Sequence, residues 1–362
     1  MVATGSQPGA GGPPVPGPGL AVRLLEPGER GALAAYVERH PRATLYHHPR
    51  WVELTEAVFG HRCHWLGALG DGGALRGALP LVRLRSVLFG DFLVSLPFVN
   101  YGGALGDEEA IEEALIGEAG RLAGRLGCSH VELRESRERD TELPCRTDKV
   151  IMERELPDDP ERLFKALGSK LRAQIRRPLR EGATVHHGAG ELLADFYPVF
   201  ARNMRDLGTP VYSRRLFAAV LDAYPGQARL ISVRLGGRAV AAGLLLEHRG
   251  RTEIPWASSL REHNRLGVNM LLYWEALKSS IERGSRVFDF GRSTRGGGTY
   301  RFKAQWGAEE RPLYWYYWLR EGGELPALTP SNPRYRAAIA VWRRLPVALT
   351  RLLGPPIVRN LP

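Results

Sequence analysis

The sequence predicts a mixed α/β (α+β) protein built as two tandem lobes, each a mostly antiparallel sheet flanked by helices. Three observations carry this. A hairpin, a strand, a long helix, a glycine stop and a further strand occur in that order twice, offset by about 155 to 165 residues. The 362 residues suffice for two cores of ordinary size. The apolar content of 44% is that of a globular chain, and no run approaches the roughly 18 apolar residues of a membrane span.

Residues 1–19 are nearly all Gly, Pro, Ala and small polar residues and are expected to be disordered. In the first lobe, 20–150, helices are expected at Glu29–Arg39 and Pro49–Phe59, stopped by Pro41 and Gly60. His64–Leu69 and Ala74–Arg83 flank Asp71-Gly72-Gly73 as a hairpin. Phe92–Leu96 reads as a strand leading to Asn100-Tyr101-Gly102-Gly103. An amphipathic helix then spans Asp107–Leu126, and Gly127 separates it from the strand His130–Arg134.

The second lobe, 151–323, is entered by a strand at Lys149–Leu156. A helix from Asp159 or Pro160 to Arg180 follows, kinked at Pro178 by a lost hydrogen bond. Helices at Glu191–Asp206 and Ser213–Ala223 precede the second hairpin, Ala228–Leu235 and Arg238–His248, around Gly236-Gly237. Arg251–Ser259 is a strand, Gly267–Arg283 a helix and Arg286–Phe290 a strand. Arg311–Leu319 alternates bulky residues like an edge strand. The tail, 324–362, places Tyr335, Ile339 and Trp342 on one helical face among arginines. That composition suits a peripheral membrane contact, although packing on its own domain is the favoured reading.

The net charge is +11, and of 50 basic residues only Lys149, Lys165, Lys170, Lys278 and Lys303 are lysines. A basic surface favours anionic partners such as phosphates, RNA or lipid headgroups; DNA is not expected. Where arginine is the default base, a lysine marks a place that wants a compact ammonium. Cys63, Cys128 and Cys145 have no C-x-x-C spacing, so neither a disulfide framework nor a zinc site is expected, and a reducing cytoplasm fits.

The stretch Val287–Gly307 carries the chemistry. It opens as an apolar strand, breaks at Gly291, crosses a loop rich in Arg, Ser, Thr and Gly, and closes in a Phe302-Lys303-x-x-Trp306-Gly307 turn. Strand ends that open into glycine-rich loops are where α/β sheets place ligands. Arg292, Ser293, Arg295, Tyr300 and Trp306 are candidate substrate-binding residues there. The element order is also that of the GNAT-type acyltransferase fold, whose pyrophosphate loop opens the long helix. Here that loop, Asn264–Asn269, lacks the R-x-x-G-x-G/A pattern, as does Tyr101-Gly102-Gly103-Ala104 in the first lobe.

Three segments together resemble FemAB-type proteins: Lys170–Pro178, Asn203–Tyr212, and the stretch ending at Trp306-Gly307. The likeness spans about residues 20 to 320 and is nearest the subgroup associated with exosortase/PEP-CTERM and exopolysaccharide systems. The resemblance implies two tandem GNAT-like lobes and transfer of amino acids from aminoacyl-tRNA to the amine of a cell-wall precursor. It implies that Arg172 contacts a substrate phosphate and that Lys303 lies near the acyl-transfer centre. Around Trp51, where members binding nucleotide-linked precursors carry a lysine, this chain has Glu53 and Glu56.

Acyl transfer to an amine passes through a tetrahedral oxyanion, so the protein must hold both partners, donate to that oxygen and accept a proton. Lys303 is the candidate oxyanion or donor-phosphate cation, and Asp289 the candidate base. Arg172 and Arg176, four apart on one helix face with Lys170 before them, could grip one phosphate. Asn100 and Tyr101 are candidates at the first lobe's strand end. No Ser-His-Asp or Cys-His pairing argues for a covalent acyl-enzyme, so direct attack by the amine is the simpler route. Neither a metal nor a tightly bound cofactor is expected; the donor is aminoacyl-tRNA or acyl-CoA. The acceptor is an anionic envelope, peptidoglycan or exopolysaccharide precursor, met in the cytoplasm or at the inner membrane face. Alternatives are an acyl-CoA-dependent N-acyltransferase and a catalytically silent binding protein for an anionic envelope intermediate.

Overall fold

The computed structural model describes residues 19–87, 89–326 and 333–361, so the tail expected to be disordered lies, but for Gly19, outside the described residues. The first lobe runs β1 (Ala21–Leu24), α1 (Arg30–Arg39), α2 (Pro49–Phe59), β2 (Arg62–Leu69), β3 (Leu75–Ser86), β4 (Gly90–Val94), β5 (Leu105–Gly106), α3 (Glu109–Leu126), β6 (His130–Glu135) and β7 (Cys145–Arg146). Helix α2 starts where the His48 side chain accepts the Arg50 N–H and stops at Gly60, φ 69°. That left-handed turn suits glycine and closes the helix by freeing the chain to reverse.

The second lobe runs β8 (Lys149–Glu155), α4 (Pro160–Ala166), α5 (Ser169–Arg180), β9 (Thr184–Gly188), α6 (Leu193–Leu207), α7 (Arg214–Ala223), β10 (Ala228–Leu235), β11 (Arg238–His248) and β12 (Arg251–Ser259). It continues with α8 (Val268–Glu282), β13 (Val287–Thr294), α9 (Gly298–Ala304), β14 (Glu309–Pro312) and β15 (Tyr314–Leu319); α10 (Pro333–Trp342) and α11 (Val347–Val358) form the tail.

Among the described residues the strands make two sheets, ordered β1-β2-β3-β4-β6-β15-β7, with β5 beside β3, and β14-β8-β13-β12-β11-β10-β9. Pairing is antiparallel except for β4 with β6 and β12 with β13. The tandem mixed α/β architecture expected from the repeat is therefore present.

Four local readings are corrected. The helix expected from 160 to 180 is two helices, because Leu167 turns extended and is buried, its N–H closing α4 on Phe164. Pro178 lies in the last turn of α5, which still runs to Arg180. The strand does not stop at Gly291; it bulges there and continues to Thr294. The 311–319 segment crosses between sheets at buried Leu313, and β15 sits between β6 and β7 rather than alone at an edge.

The lobes share a core. One apolar cluster joins Leu45, Tyr46, Trp51 and Leu96 of the first to Phe196, Phe200, Phe217 and Trp256 of the second. Such burial makes the lobes one packed unit. The tail docks on this unit: His61 bonds the Arg359 carbonyl, and Arg343 donates to that of Leu207 at 3.1 Å. Among the described residues no helix is long and apolar enough to cross a membrane.

Candidate active site

The two parallel strands of the second sheet pair over only three residues, Arg251–Glu253 with Val287–Asp289, and then part. Bulges on both sides cause the parting: β12 slips against β11 between Glu253 and Trp256, and β13 slips against β8 between Asp289 and Arg292. In an unbroken strand Phe290 and Arg292 would share a face. The bulge reverses this, so Phe290 packs in the core under α8 while Arg292 lies over Trp315 of the first sheet, 4.8 Å from its ring centre. Gly291 has φ 77°, and a Cβ there would lie 3.6 Å from the Asn100 amide nitrogen and 3.9 Å from Lys303 Nζ. Glycine meets both needs, the left-handed backbone and the close approach.

Lys303 projects from α9 into this parting and is only 6% exposed. The expected turn around it is thus a short helix, which fixes the side chain. Its Nζ donates to the carbonyl oxygens of Gly291 and Arg292, both at 2.9 Å, which leaves its third N–H to a ligand. Burial pulls the ammonium down to about 8, against the upward pull of Asp289 and Glu253.

Beneath it lie two carboxylates in register, Glu253 on β12 and Asp289 on β13. Asp289 is fully buried: its Oδ1 accepts the Gly291 N–H at 2.7 Å and its Oδ2 the Tyr101 hydroxyl at 2.9 Å. Glu253 accepts the Tyr46 hydroxyl and, at 3.0 Å, the Asn100 amide. Burial first, and then a neighbouring carboxylate, Asp289 for Glu253 and Glu153 for Asp289, pushes both groups well above the usual range. The first lobe supplies Tyr46, Asn100 and Tyr101, so the site is composite.

Two hollows adjoin this group. A cavity of about 450 Å³ between the lobes is lined by Tyr46, Tyr101, Glu153, Arg251, Glu253 and Arg311, among others. A smaller hollow of about 150 Å³ lies where the end of β12 meets α8 and α9, between Ser258, Ser259, Asn269, Tyr273 and Phe302. Glu253 borders the first, and Phe302, the residue before Lys303, borders the second.

Of the residues expected from sequence, Lys303, Asp289, Asn100 and Tyr101 are brought together, with Arg292 at the rim. The Arg292 guanidinium makes no hydrogen bond or ion pair among the described residues. Solvent reaches it, yet surrounding protein and nearby Arg134 lower its guanidinium to about 10. The other candidates lie elsewhere. Arg295 pairs with Glu310 at 3.1 Å, and Tyr300 shares that carboxylate. Trp306 is wholly buried against Tyr273 and Phe302, a core residue rather than a ligand surface. Ser293 is buried in the strand, its hydroxyl unpartnered among the described residues.

The basic helix α5 also departs from the expected grip. Arg172 donates to the Lys165 carbonyl at 2.9 Å and closes α4, while Arg176 covers Phe164 at 4.9 Å. Lys170 is exposed at the start of α5. None of the three lines either hollow. Glu253 was not anticipated. Its signal was a lone acid in the apolar run Ile254-Pro255-Trp256, at the strand position that faces Asp289.

Residues 169–304, from α5 to α9, match the Acetyltransferase (GNAT) domain family. Among solved structures the chain is similar to FemX, with a TM-score of 0.60 at 15% identity over 82% of this chain and 97% of that one. It is similar to the C-terminal domain of a protein from Agrobacterium fabrum described as a lysylphosphatidylglycerol synthetase, at 0.55 and 14% over 82% and 93%. A tandem GNAT protein from the clavulanic acid biosynthesis pathway aligns at 0.51 and 14%, over 83% and 98%. No curated protein sequence matches the chain. Most of the second lobe thus matches the Acetyltransferase (GNAT) domain, and over about four-fifths of its length the chain shares the fold of a tandem GNAT structure.

Proposed function

We propose that the chain is an acyltransferase that moves an acyl or aminoacyl group from an activated donor to an amine on an anionic cell-envelope precursor. The observation that carries this reading is the buried ammonium of Lys303, held in the strand parting with one donor free, beside a carboxylate pair that burial keeps near neutrality. In this reading the donor's acyl end enters the small hollow and the acceptor amine arrives from the cavity between the lobes. The amine lone pair attacks the acyl carbon, and the carbonyl electrons move to oxygen, where Lys303 donates. Glu253, which the cavity reaches, takes the amine proton; Asp289, sealed by Tyr101 and Gly291, sets its charge. Collapse breaks the bond to the ribose oxygen or thiol sulfur, Glu253 returns the amine proton to that leaving group, and an amide remains.

The division into lobes at 20–150 and 151–323, with 324–362 as a tail, belongs to this proposal, with β15 lent to the first sheet. So do an aminoacyl-tRNA donor, an exopolysaccharide or peptidoglycan acceptor, and membership of the exosortase-associated subgroup. The match to the Acetyltransferase (GNAT) domain family favours a second reading, an acyl-CoA-dependent N-acyltransferase. Equilibrium binding of acetyl-CoA against aminoacyl-tRNA separates the two, and a steep salt dependence marks the polyanion.

Single-turnover transfer by Lys303→Met tests the chemistry. The variant keeps the buried stem and removes the charge, so the rate should fall about 10²–10³-fold with donor affinity retained. The wild-type rate should also decline above about pH 8 as the ammonium loses its proton, a limb absent in Lys303→Arg. Full activity in Lys303→Met would remove Lys303 from the chemistry, and absence of transfer by the wild type would leave only a binding protein.

A further inference from the structure

We propose that the outer face of α11 docks the protein on an anionic lipid surface. Helix α11 is turned inside out for a soluble domain. Its buried face is Thr350, Gly354 and Val358, four apart, and a Cβ at Gly354 would lie 2.8 Å from the Val211 nitrogen. The small residues therefore serve to bring the helix close to the lobe. The opposite face carries Leu349, Leu352, Leu353 and Pro356 at i, i+3, i+4 and i+7, all exposed, Leu352 by 71%. Val341 of α10 and Leu207 at the end of α6 are exposed as well, and Arg343 ties these two elements together.

Charge selects the partner. Between residues 325 and 362 stand Arg334, Arg336, Arg343, Arg344, Arg351 and Arg359, and not one Asp or Glu. Asp206, on the end of α6 that the tail meets, is already paired with Arg205 at 2.6 Å. A second copy of the chain would bring the same arginines against themselves across a two-fold contact, which repels. An interface that is apolar beneath and anionic above accepts both the leucines and the arginines, as anionic headgroups over acyl chains do.

The test uses the full chain and vesicles, without turnover, so it stands apart from the acyl-transfer reading. The protein should sediment with vesicles containing about one-third phosphatidylglycerol at least about tenfold better than with phosphatidylcholine alone. Leu352→Glu with Leu353→Glu should lose about tenfold or more of that binding while the melting temperature stays unchanged. Arg336→Gln with Arg344→Gln should weaken it and flatten its salt dependence. Absence of binding to anionic vesicles at low salt would overturn the proposal, as would undiminished binding by the Leu352/Leu353 variant. So would a concentration-dependent dimer, seen by light scattering, that the same variant abolishes.

Discussion

Both sheets contain a parallel pair that closes briefly and then parts, but the two partings are used in opposite ways. In the first, Leu93 and Val94 pair with Val131 and Glu132. The gap beyond is filled by Arg134, 1% exposed, which bonds Glu132 and the Val99 carbonyl. Where α3 begins, Glu112 is fully buried and gathers Arg42, Arg137 and Arg139, while Arg139 also pairs with Glu135 at 3.0 Å. In the second lobe Lys303 instead enters the parting, a hollow opens nearby where the end of β12 meets α8 and α9, and the Arg292 guanidinium has no acidic partner among the described residues. One lobe has closed its parting with matched charges; the other has kept space and a single ammonium. The lesson is that a repeated architecture need not repeat its chemistry.

Substitutions can break or sharpen that contrast. After Lys303→Met, the largest effect is expected at Glu253→Gln, which keeps shape and removes the base; transfer should fall on the order of 10²-fold. It also has a stability signature. Because burial raises the Glu253 carboxyl above its ordinary 4.5, the folded state holds its proton longer than the unfolded one. The stabilisation is complete below that ordinary value and is lost as pH rises through the folded one. Melting of the wild type should therefore drop between pH 5 and 9, by about 5 °C or more, and the variant should be flatter. A parallel drop in both would remove the carboxylate pair from the account.

In the first lobe, Glu112→Ala strips the shared partner from three arginines. Breaking such a buried network typically costs about 3–5 kcal/mol, which denaturant melts would register, yet the folded fraction should turn over normally. A specific loss of turnover at full stability would instead place chemistry in the first lobe. The smallest effect is expected at Arg295→Ala, whose charge Glu310 already occupies at the sheet edge. Activity should stay within about twofold, since an exposed pair contributes little.

How much of this was legible in the sequence follows from what each residue reports. Glycine stops and hairpins were readable because Gly60, Gly127 and Gly236-Gly237 act through local backbone geometry. The crossing at Leu313 was not, because alternation specifies a face and says nothing of which sheet a strand joins. Gly168 lay inside an uninterrupted periodic pattern, so the break between α4 and α5 left no mark. Thr184–Gly188 is short and polar, and only its pairing with β10 makes it a strand.

The site divides the same way. Lys303 was conspicuous as a lysine in an arginine-rich chain. Glu253 acquires its character from Asp289 thirty-six positions away, a distance only folding removes. Trp306 and Tyr300 were read as ligand contacts because aromatic residues beside a glycine loop look the same whether they face solvent or core. Arg172 and Arg176 were correctly placed on one helix, but α4, which takes up both, was not foreseen as a separate element.

The central claim is that the second lobe alone takes the acyl donor, in the hollow between the end of β12, α8 and α9. Calorimetric titration of the full chain with acetyl-CoA and with aminoacyl-tRNA tests it most directly. One site per chain is predicted for the true donor, and Ala257→Phe, which fills the hollow, should abolish that binding without unfolding the protein. Two sites per chain, or undiminished binding by the filled variant, would contradict it.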